Sequence, residues 1–221
     1  MSIKPAMSAH TISSDIYTVI RKDIIAGCYE PGEKLRIESM RKRYDVGNSP
    51  LREALTRLAS VGLLAQKDQR GFCVPVISKA DLTDICNTRI HIEVAALKLS
   101  IAQGGDEWEA KIVSTFHCLQ KAQLKREADT EHWEKIHSDF HFSLIAACQS
   151  PSMLRFCRIL HDQFDRYRRL APSNTNCREL LDQQHREIME RVLSKDNDCA
   201  GLLLTEHIKL SAASAFTLFE D

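Results

Sequence analysis

The chain has 221 residues, 43% of them hydrophobic, which is enough for one large domain or two small ones with a buried core. Its formal net charge is zero, but residues 1–78 carry 12 Lys or Arg against 8 Asp or Glu, while the remainder carries 18 against 22, which predicts two modules, the first facing a polyanion. Eight cysteines without a CxxC pair, no signal-peptide pattern and no long apolar run argue against a secreted or membrane protein and predict a cytoplasmic one.

The first helices follow a short arm. Residues 1–12 lack periodicity and predict a flexible N-terminal arm. From Ser14 the pattern is helical, with isoleucines at one-turn spacing until Gly27 ends the helix. "EPGEKL" predicts a turn, and "RIESMRKRYDV" predicts a short helix whose outer face carries Arg41, Lys42 and Arg43.

The segment "VGNSPLREALTRLASVGLL" predicts an amphipathic helix with a strong start signal. Ser49 is suited to the N-cap and Pro50 to the first helical position. Arg52 would then lie in the first turn, where a cation opposes the helix dipole. A hydrogen bond to a phosphate or a guanine of a partner would offset this unfavourable interaction.

A change of periodicity follows Gly62. "LLAQKD", a turn at "QRG" and "FCVPV" predict a β-hairpin with Phe72, Val74 and Val76 on one face. The order helix, helix, turn, helix, hairpin is that of a winged helix-turn-helix, so residues 13–78 are predicted to form a DNA-binding domain.

Residues 19–76 resemble the DNA-binding domain of the GntR family of bacterial transcription regulators, through "GCYEPGEKL", "YDVGNSPLREALTRLASVGLL" and "RGFCV". The resemblance implies binding to double-stranded operator DNA. Asn48 departs from it, because relatives usually have an arginine there. For the basic residues of the second helix a solvated surface remains the alternative. The candidate DNA-binding residues are Arg41, Arg43, Asn48, Ser49, Arg52, Arg70 and Gly71.

The second half is helical almost throughout, so residues 79–221 are predicted to form an antiparallel bundle. "GGD", "ADT", "QSPS", "APSN" and "SKDND" divide it into six amphipathic segments. The predicted fold class is therefore mainly α, an N-terminal winged helix-turn-helix followed by an all-helical bundle. The segments are Lys79 to Gly104, Glu107 to Lys125, Glu131 to Cys148, Ser152 to Leu170, Arg178 to Leu193 and Asp198 to Phe216.

This half resembles the FCD effector domain of the FadR subfamily through "TRIHIEVAALKLSIAQGG", "DFHFSLIAACQSP" and "QQHREIMERVLSKD". "AQGGDEWEA" is also similar to the CsiR type of regulator within that subfamily. The resemblance implies a homodimeric regulator, a repressor, whose operator binding responds to a small organic acid, with a short dicarboxylate favoured by the CsiR-like segment.

Four of the nine histidines predict a metal site. His137 and His141 are four residues apart and share a helix face, while His185 and His207 fall on the last two helices. Converging imidazoles suit a divalent transition metal such as zinc or nickel, with an open position for a ligand. Most FCD proteins have an aspartate in place of His137. The alternative is that each histidine is an ordinary residue held by hydrogen bonds.

Arg89, in "TRIHIE", is the candidate effector-binding residue, because a buried guanidinium binds a carboxylate with two hydrogen bonds. A salt bridge to Glu93, one turn later, is the alternative.

A metal-dependent enzyme acting on a small carboxylic acid is the competing function, but the chain has no HExxH motif and no Gly-rich phosphate loop.

Overall fold

The computed structural model describes residues 12–67, 71–125, 129–171 and 178–220. The chain forms two compact units. Among the described residues, one unit contains residues 12–78 and 165–170, and the other contains the rest. No helix in the described ranges is long and apolar enough to cross a membrane.

The first unit combines three helices with a small antiparallel sheet. The strands lie in the order β1-β3-β2, and Phe72 of β3 pairs with Leu35 of β1 and Gln66 of β2. The elements are α1 (Ile12–Ile25), β1 (Lys34–Leu35), α2 (Ile37–Tyr44), α3 (Asn48–Ser60), β2 (Ala65–Lys67) and β3 (Gly71–Cys73).

The core of this unit lies between α1 and α3. Isoleucines at one-turn spacing on α1 face leucines at three- and four-residue spacing on α3, and these side chains are completely buried. Burying each such side chain contributes about 1.5–3 kcal/mol, so the two apolar stripes fix how α3 lies on α1. The central members are Ile20, Ile24, Leu51, Leu55 and Leu58.

The predicted N-cap of α3 is wrong. Gly47, in extended conformation, is the N-cap, and Leu51 N–H donates to the Gly47 carbonyl over 3.3 Å as the first helical bond. Pro50 is therefore the third helical residue. A backbone N–H at this position has no partner inside the helix, so a proline, which lacks the N–H, loses no helical hydrogen bond here. Arg52 consequently lies in the second turn, where the helix dipole acts on it less. The unfavourable dipole interaction therefore no longer argues for a DNA partner.

The hairpin prediction was incomplete. The short strand β1 follows the turn at Pro31 and was not predicted. Phe72 and Val74 are buried as expected, but Val76 is 70% exposed. The strand ends at Cys73, and Pro75 cannot donate a ladder hydrogen bond, so the alternation of the strand does not extend to Val76.

The second unit consists of the predicted helices, except for residues 165–170 at the end of α7, which belong to the first unit. Their bounds agree with the sequence prediction to within three residues, and the mainly helical fold class is confirmed. They are α4 (Lys79–Gln103), α5 (Asp106–Gln123), α6 (Thr130–Ile145), α7 (Pro151–Leu170), α8 (Arg178–Leu193) and α9 (Asn197–Phe216), followed by a short 3₁₀ turn at Thr217–Phe219.

A buried tryptophan stabilises the connection between α4 and α5. Trp108 is buried and donates its indole N–H to the Ser143 carbonyl of α6 over 2.8 Å. Lys195 lies 5.0 Å from the Trp108 ring centroid and donates to the Gly104 carbonyl over 3.1 Å. A Cβ atom at Gly104 would lie 2.0 Å from the tryptophan ring, whereas one at Gly105 would meet nothing within 4 Å.

We expect Gly104→Ala to lower the free energy of unfolding of the second unit by about 1–3 kcal/mol, because the methyl group must displace the indole. Gly105→Ala is the matched control. It should be nearly neutral, since a poorer N-cap is offset by lower entropy of the unfolded chain. Urea unfolding followed by tryptophan fluorescence measures both, and equal stability of the two variants would contradict the packing argument.

Candidate nucleic-acid interface and metal centre

The N-terminal half of α3 presents unoccupied polar side chains. Asn48, Ser49 and Arg52 are exposed, while Leu51 and Leu55 on the opposite face are buried. In the described part of the chain, none of these three polar side chains makes a hydrogen bond or an ion pair. Their polar groups are therefore available to an external partner.

The basic residues of α2 are partly engaged within the chain. Arg41 lies 3.7 Å from the Glu38 carboxylate, and Arg43 donates to Asp23 over 3.3 Å. The Arg43 guanidinium also lies 4.8 Å from the centre of the Tyr29 ring. Arg43 was predicted to bind DNA, and the structure places it in a network with α1 instead of leaving it free.

Two tyrosines complete this network. Tyr44 donates its hydroxyl to Asp23 over 2.6 Å, and the Tyr29 and Tyr44 oxygens are 2.6 Å apart. Burial and the hydrogen bond to Asp23 raise the pKa of Tyr44, so it remains a donor. Because these residues are 15 to 21 positions apart, no local sequence pattern could have revealed the network. It holds α2 against α1 and so positions the helix that precedes α3.

The turn of the hairpin is only partly described. Arg70, a predicted DNA contact, lies outside the described residues. Gly71 is exposed and has φ of +79°, a conformation that favours glycine, so the residue type at this position follows from the backbone.

In the second unit, the structure brings all four predicted histidines together from three helices. His137 and His141 come from α6, His185 from α8 and His207 from α9. All are at most 8% exposed, and one ring nitrogen from each lies within 4.8 Å of the others. Trp133 stacks on the His137 ring with centroids 4.6 Å apart and covers that side of the cluster.

Three of the ring nitrogens are in direct contact. The Nε2 atoms of His137 and His141 are 3.0 Å apart, and each lies 3.2 Å from Nε2 of His185. Two nitrogens bound to one ion at about 2.1 Å, in tetrahedral or octahedral geometry, lie about 3.0–3.4 Å apart. The observed spacing is therefore that of ligands around a single metal ion.

Hydrogen bonding alone cannot satisfy this triangle. The Nε2 atom of a neutral imidazole either carries a hydrogen or offers a lone pair. Among three such atoms, at least two have the same character, so at least one of the three contacts is not a hydrogen bond. A cation that accepts a lone pair from each nitrogen removes the conflict. The donor set fits a metal, and neutral imidazoles favour zinc or nickel over a hard cation.

The electrostatics keep His141 and His207 neutral, the form in which an imidazole binds a metal. Burial, followed by the neighbouring His137, lowers the pKa of His141 well below its ordinary value. Burial, and then Arg89, lowers the pKa of His207 to about 3. His207 Nδ1 lies 3.2 Å from Gln184 Oε1, so an N–H on Nδ1 leaves Nε2 to bind a metal. This supporting role of Gln184 was not predicted, although it directly precedes His185.

Arg89 is buried and engaged with Glu93. Its Nε and Nη2 atoms donate to the two carboxylate oxygens over 2.7 and 3.2 Å, which is the alternative that the sequence left open. The guanidinium also lies 4.5 Å from the Phe164 ring centroid. Its charge also contributes to the lowered pKa values of His141 and His207, after the larger effect of their burial.

Comparison with known proteins matches both halves of the chain. The family model "Bacterial regulatory proteins, gntR family" matches residues 12–74, and the FCD domain model matches residues 84–210. The chain is 35% identical over 205 residues to the HTH-type transcriptional repressor GlaR of Escherichia coli (strain K12), covering 90% of this chain and 93% of that protein. It is 34% identical over 211 residues to the HTH-type transcriptional regulator BphR of Paraburkholderia xenovorans (strain LB400), covering 94% and 86%.

Among solved structures, the chain is similar to E. coli McbR/YncC, with a TM-score of 0.81, 20% identity and coverage of 95% of this chain and 99% of that one. At this identity the match supports the fold alone. The narrower CsiR resemblance is not confirmed by these matches and stays a prediction.

Arg52→Ala should weaken binding to a specific duplex by about 1–3 kcal/mol and leave stability unchanged, because the side chain is exposed and unengaged. Arg57→Ala is the matched control on the same helix. The Arg57 guanidinium lies 4.5 Å from the Tyr17 ring centroid, so it is already engaged in a cation–π contact within the chain. A gel-shift titration compares the two variants, and equal losses would contradict the assignment of Arg52.

Protein purified without a histidine tag should contain a transition metal by elemental analysis. Binding to the folded state should stabilise it by about 2.7 kcal/mol at a hundredfold excess over the dissociation constant, so chelation should lower Tm. His141→Ala should abolish this difference, and His137→Asp should retain metal because a carboxylate is also a ligand. His132→Ala, an exposed residue of α6, is the control. A metal content unchanged by His141→Ala would contradict the site.

Proposed function

Because this chain belongs to the GntR family of bacterial regulatory proteins and carries an FCD domain, it is a transcriptional regulator, and we propose that it is a repressor controlled by a small carboxylate. It acts as a homodimer on an inverted-repeat operator. A divalent metal, zinc or nickel, is held by the four histidines of the second unit.

The families and relatives that match are DNA-binding regulators, so the chain is not an enzyme. The name of the GlaR relative, which is a repressor, supports the negative sign of regulation. The observation that carries the metal dependence is the triangle of Nε2 atoms 3.0–3.2 Å apart, which neutral histidines alone cannot satisfy.

DNA binding depends on the exposed face of α3. In a helix-turn-helix the N-terminal residues of the second helix contact base edges in the major groove. Asn48, Ser49 and Arg52 occupy these positions here, with Arg41 nearby and Gly71 in the wing. Two copies in a dimer engage two half-sites about 34–36 Å apart, which requires an inverted repeat.

The effector site is proposed beside the histidine cluster. When bound by the four histidines, the metal would supply a positive charge, and a carboxylate oxygen of the effector would add to it as a further ligand. The buried Arg89 guanidinium is the second cationic group for an acidic effector, and its charge contributes to the lowered pKa values of His141 and His207. The second carboxylate of a short dicarboxylate competes with Glu93 for the Nε/Nη2 edge of the guanidinium, which Glu93 occupies in this structure.

Regulation follows from where Arg89 lies. It is on α4, the 25-residue helix that begins directly after Ser78 in the chain. Exchange of the Arg89–Glu93 pair for an effector carboxylate changes the contacts of this helix in the buried interior, and a ligand shifts an equilibrium only through such differential contacts. The bound acid thereby favours the conformation of the protein that has the lower affinity for the operator.

The proposal is tested with a thermal-shift screen of short mono- and dicarboxylates on metal-loaded and chelated protein. A dicarboxylate should raise Tm only in metal-loaded protein and should weaken binding to the upstream region of its own gene. That binding should itself fall steeply with salt, because DNA binding releases counterions. A response to the acid that survives chelation would refute the metal-linked mechanism.

The role of Arg89 needs a paired substitution. Arg89→Ala alone would leave Glu93 buried without its partner, at a cost of about 3–5 kcal/mol. The double variant Arg89→Met, Glu93→Gln removes both charges and should keep the fold and the metal while losing the response to the acid. An unchanged response in this variant would show that Arg89 does not bind the effector.

A further inference from the structure

One exposed side chain at the start of α3 has no structural role. Asn48 is the first helical residue, and Gly47 before it is the N-cap. An asparagine one position earlier would cap the helix, but the side chain at the first helical position does not have that function. The Asn48 carboxamide is exposed and makes no hydrogen bond in the described part of the chain. Its stabilising contribution to the fold is therefore small.

Asn48 shares a helix face with Arg52, another polar side chain of α3 that makes no hydrogen bond in the described part of the chain. Asn48 and Arg52 are four residues apart, so they lie one turn apart on the same face, and Thr56 continues this exposed stripe. The opposite stripe is completely buried in the core, which leaves α3 only one orientation toward a partner. Along the axis the two side chains are separated by about 6 Å, which is close to two base-pair steps.

The chemistry of the two groups is different. A carboxamide offers one donor and one acceptor side by side, which matches N6 and N7 of adenine in the major groove. A guanidinium offers two donors, which match O6 and N7 of guanine. A phosphate, by contrast, offers acceptors alone and leaves half of the carboxamide unused.

The geometry points to Asn48 as a specificity-determining residue that selects an adenine, about two base pairs from the guanine read by Arg52. This inference rests on the DNA binding proposed above and deepens it by naming the base chemistry of the half-site. Each operator half-site contains an A·T pair at the position that faces Asn48.

The test is selection from a pool of randomised duplexes with the full-length, metal-loaded protein. Wild type should enrich an adenine at one position of each half-site, and Asn48→Ala should lose that preference by about 5- to 150-fold while keeping the guanine preference. Asn48→Arg should change the same position to guanine, because a guanidinium replaces the carboxamide.

Ser60→Arg is the matched control, because Ser60 is exposed at the opposite end of α3 and the substitution adds the same charge. It should raise affinity for all duplexes without changing any base preference. A loss in Asn48→Ala that is equal for every sequence would indicate a phosphate contact and overturn the inference. An enriched motif identical in wild type, Asn48→Ala and Asn48→Arg would overturn it as well. Absence of any enriched sequence with wild type would overturn the proposed operator binding together with it.

Discussion

The contact between three histidine nitrogens inside the helical unit is the constraint on which its site depends. His137, His141 and His185 bring Nε2 atoms within 3.2 Å of each other in an interior that excludes water. Burial lowers the pKa of His141 well below its ordinary value, so protonation of His141 does not hold the three rings together. α6, α8 and α9 pack so that the rings converge, and the arrangement is that of a binding site for a cation.

The surroundings of this site couple it to other parts of the helical unit. Gln184 orients His207, Trp133 covers His137, and the Arg89–Glu93 pair places a positive charge close by. The Trp108 indole bonds to the carbonyl of Ser143, two residues after a histidine of the cluster, and thereby connects α5 to α6. The ion pair is costly to bury unless both charges remain paired, so Arg89 and Glu93 hold each other in place inside the unit.

The DNA-binding unit separates stability from recognition on one helix. The leucines of α3 pack on the isoleucines of α1, and the network of Asp23, Tyr29, Tyr44 and Arg43 holds α2 in place without using any residue of α3. At the exposed N-terminal half of α3, the side chains of Asn48, Ser49 and Arg52 consequently make no hydrogen bond or ion pair in the described part of the chain. Arg43 contributes to this network, and its predicted contact with DNA stays a prediction.

From the sequence alone we could predict the helices, the helical fold class and which four histidines converge. Periodicity reports burial directly, and the spacing of His137 and His141 places both on one face of a helix whatever the rest of the chain does. It also favoured a salt bridge and an effector contact for Arg89 equally. The structure chose between these two alternatives by pairing Arg89 with Glu93. It also supplied hydrogen-bond partners from distant segments, namely Asp23 for Arg43 and Gln184 for His207, which no local pattern could predict. The start of α3 at Asn48, one residue before the expected cap, was likewise decided by which backbone carbonyl accepts the first helical bond, since both Gly47 and Ser49 are acceptable caps by residue type.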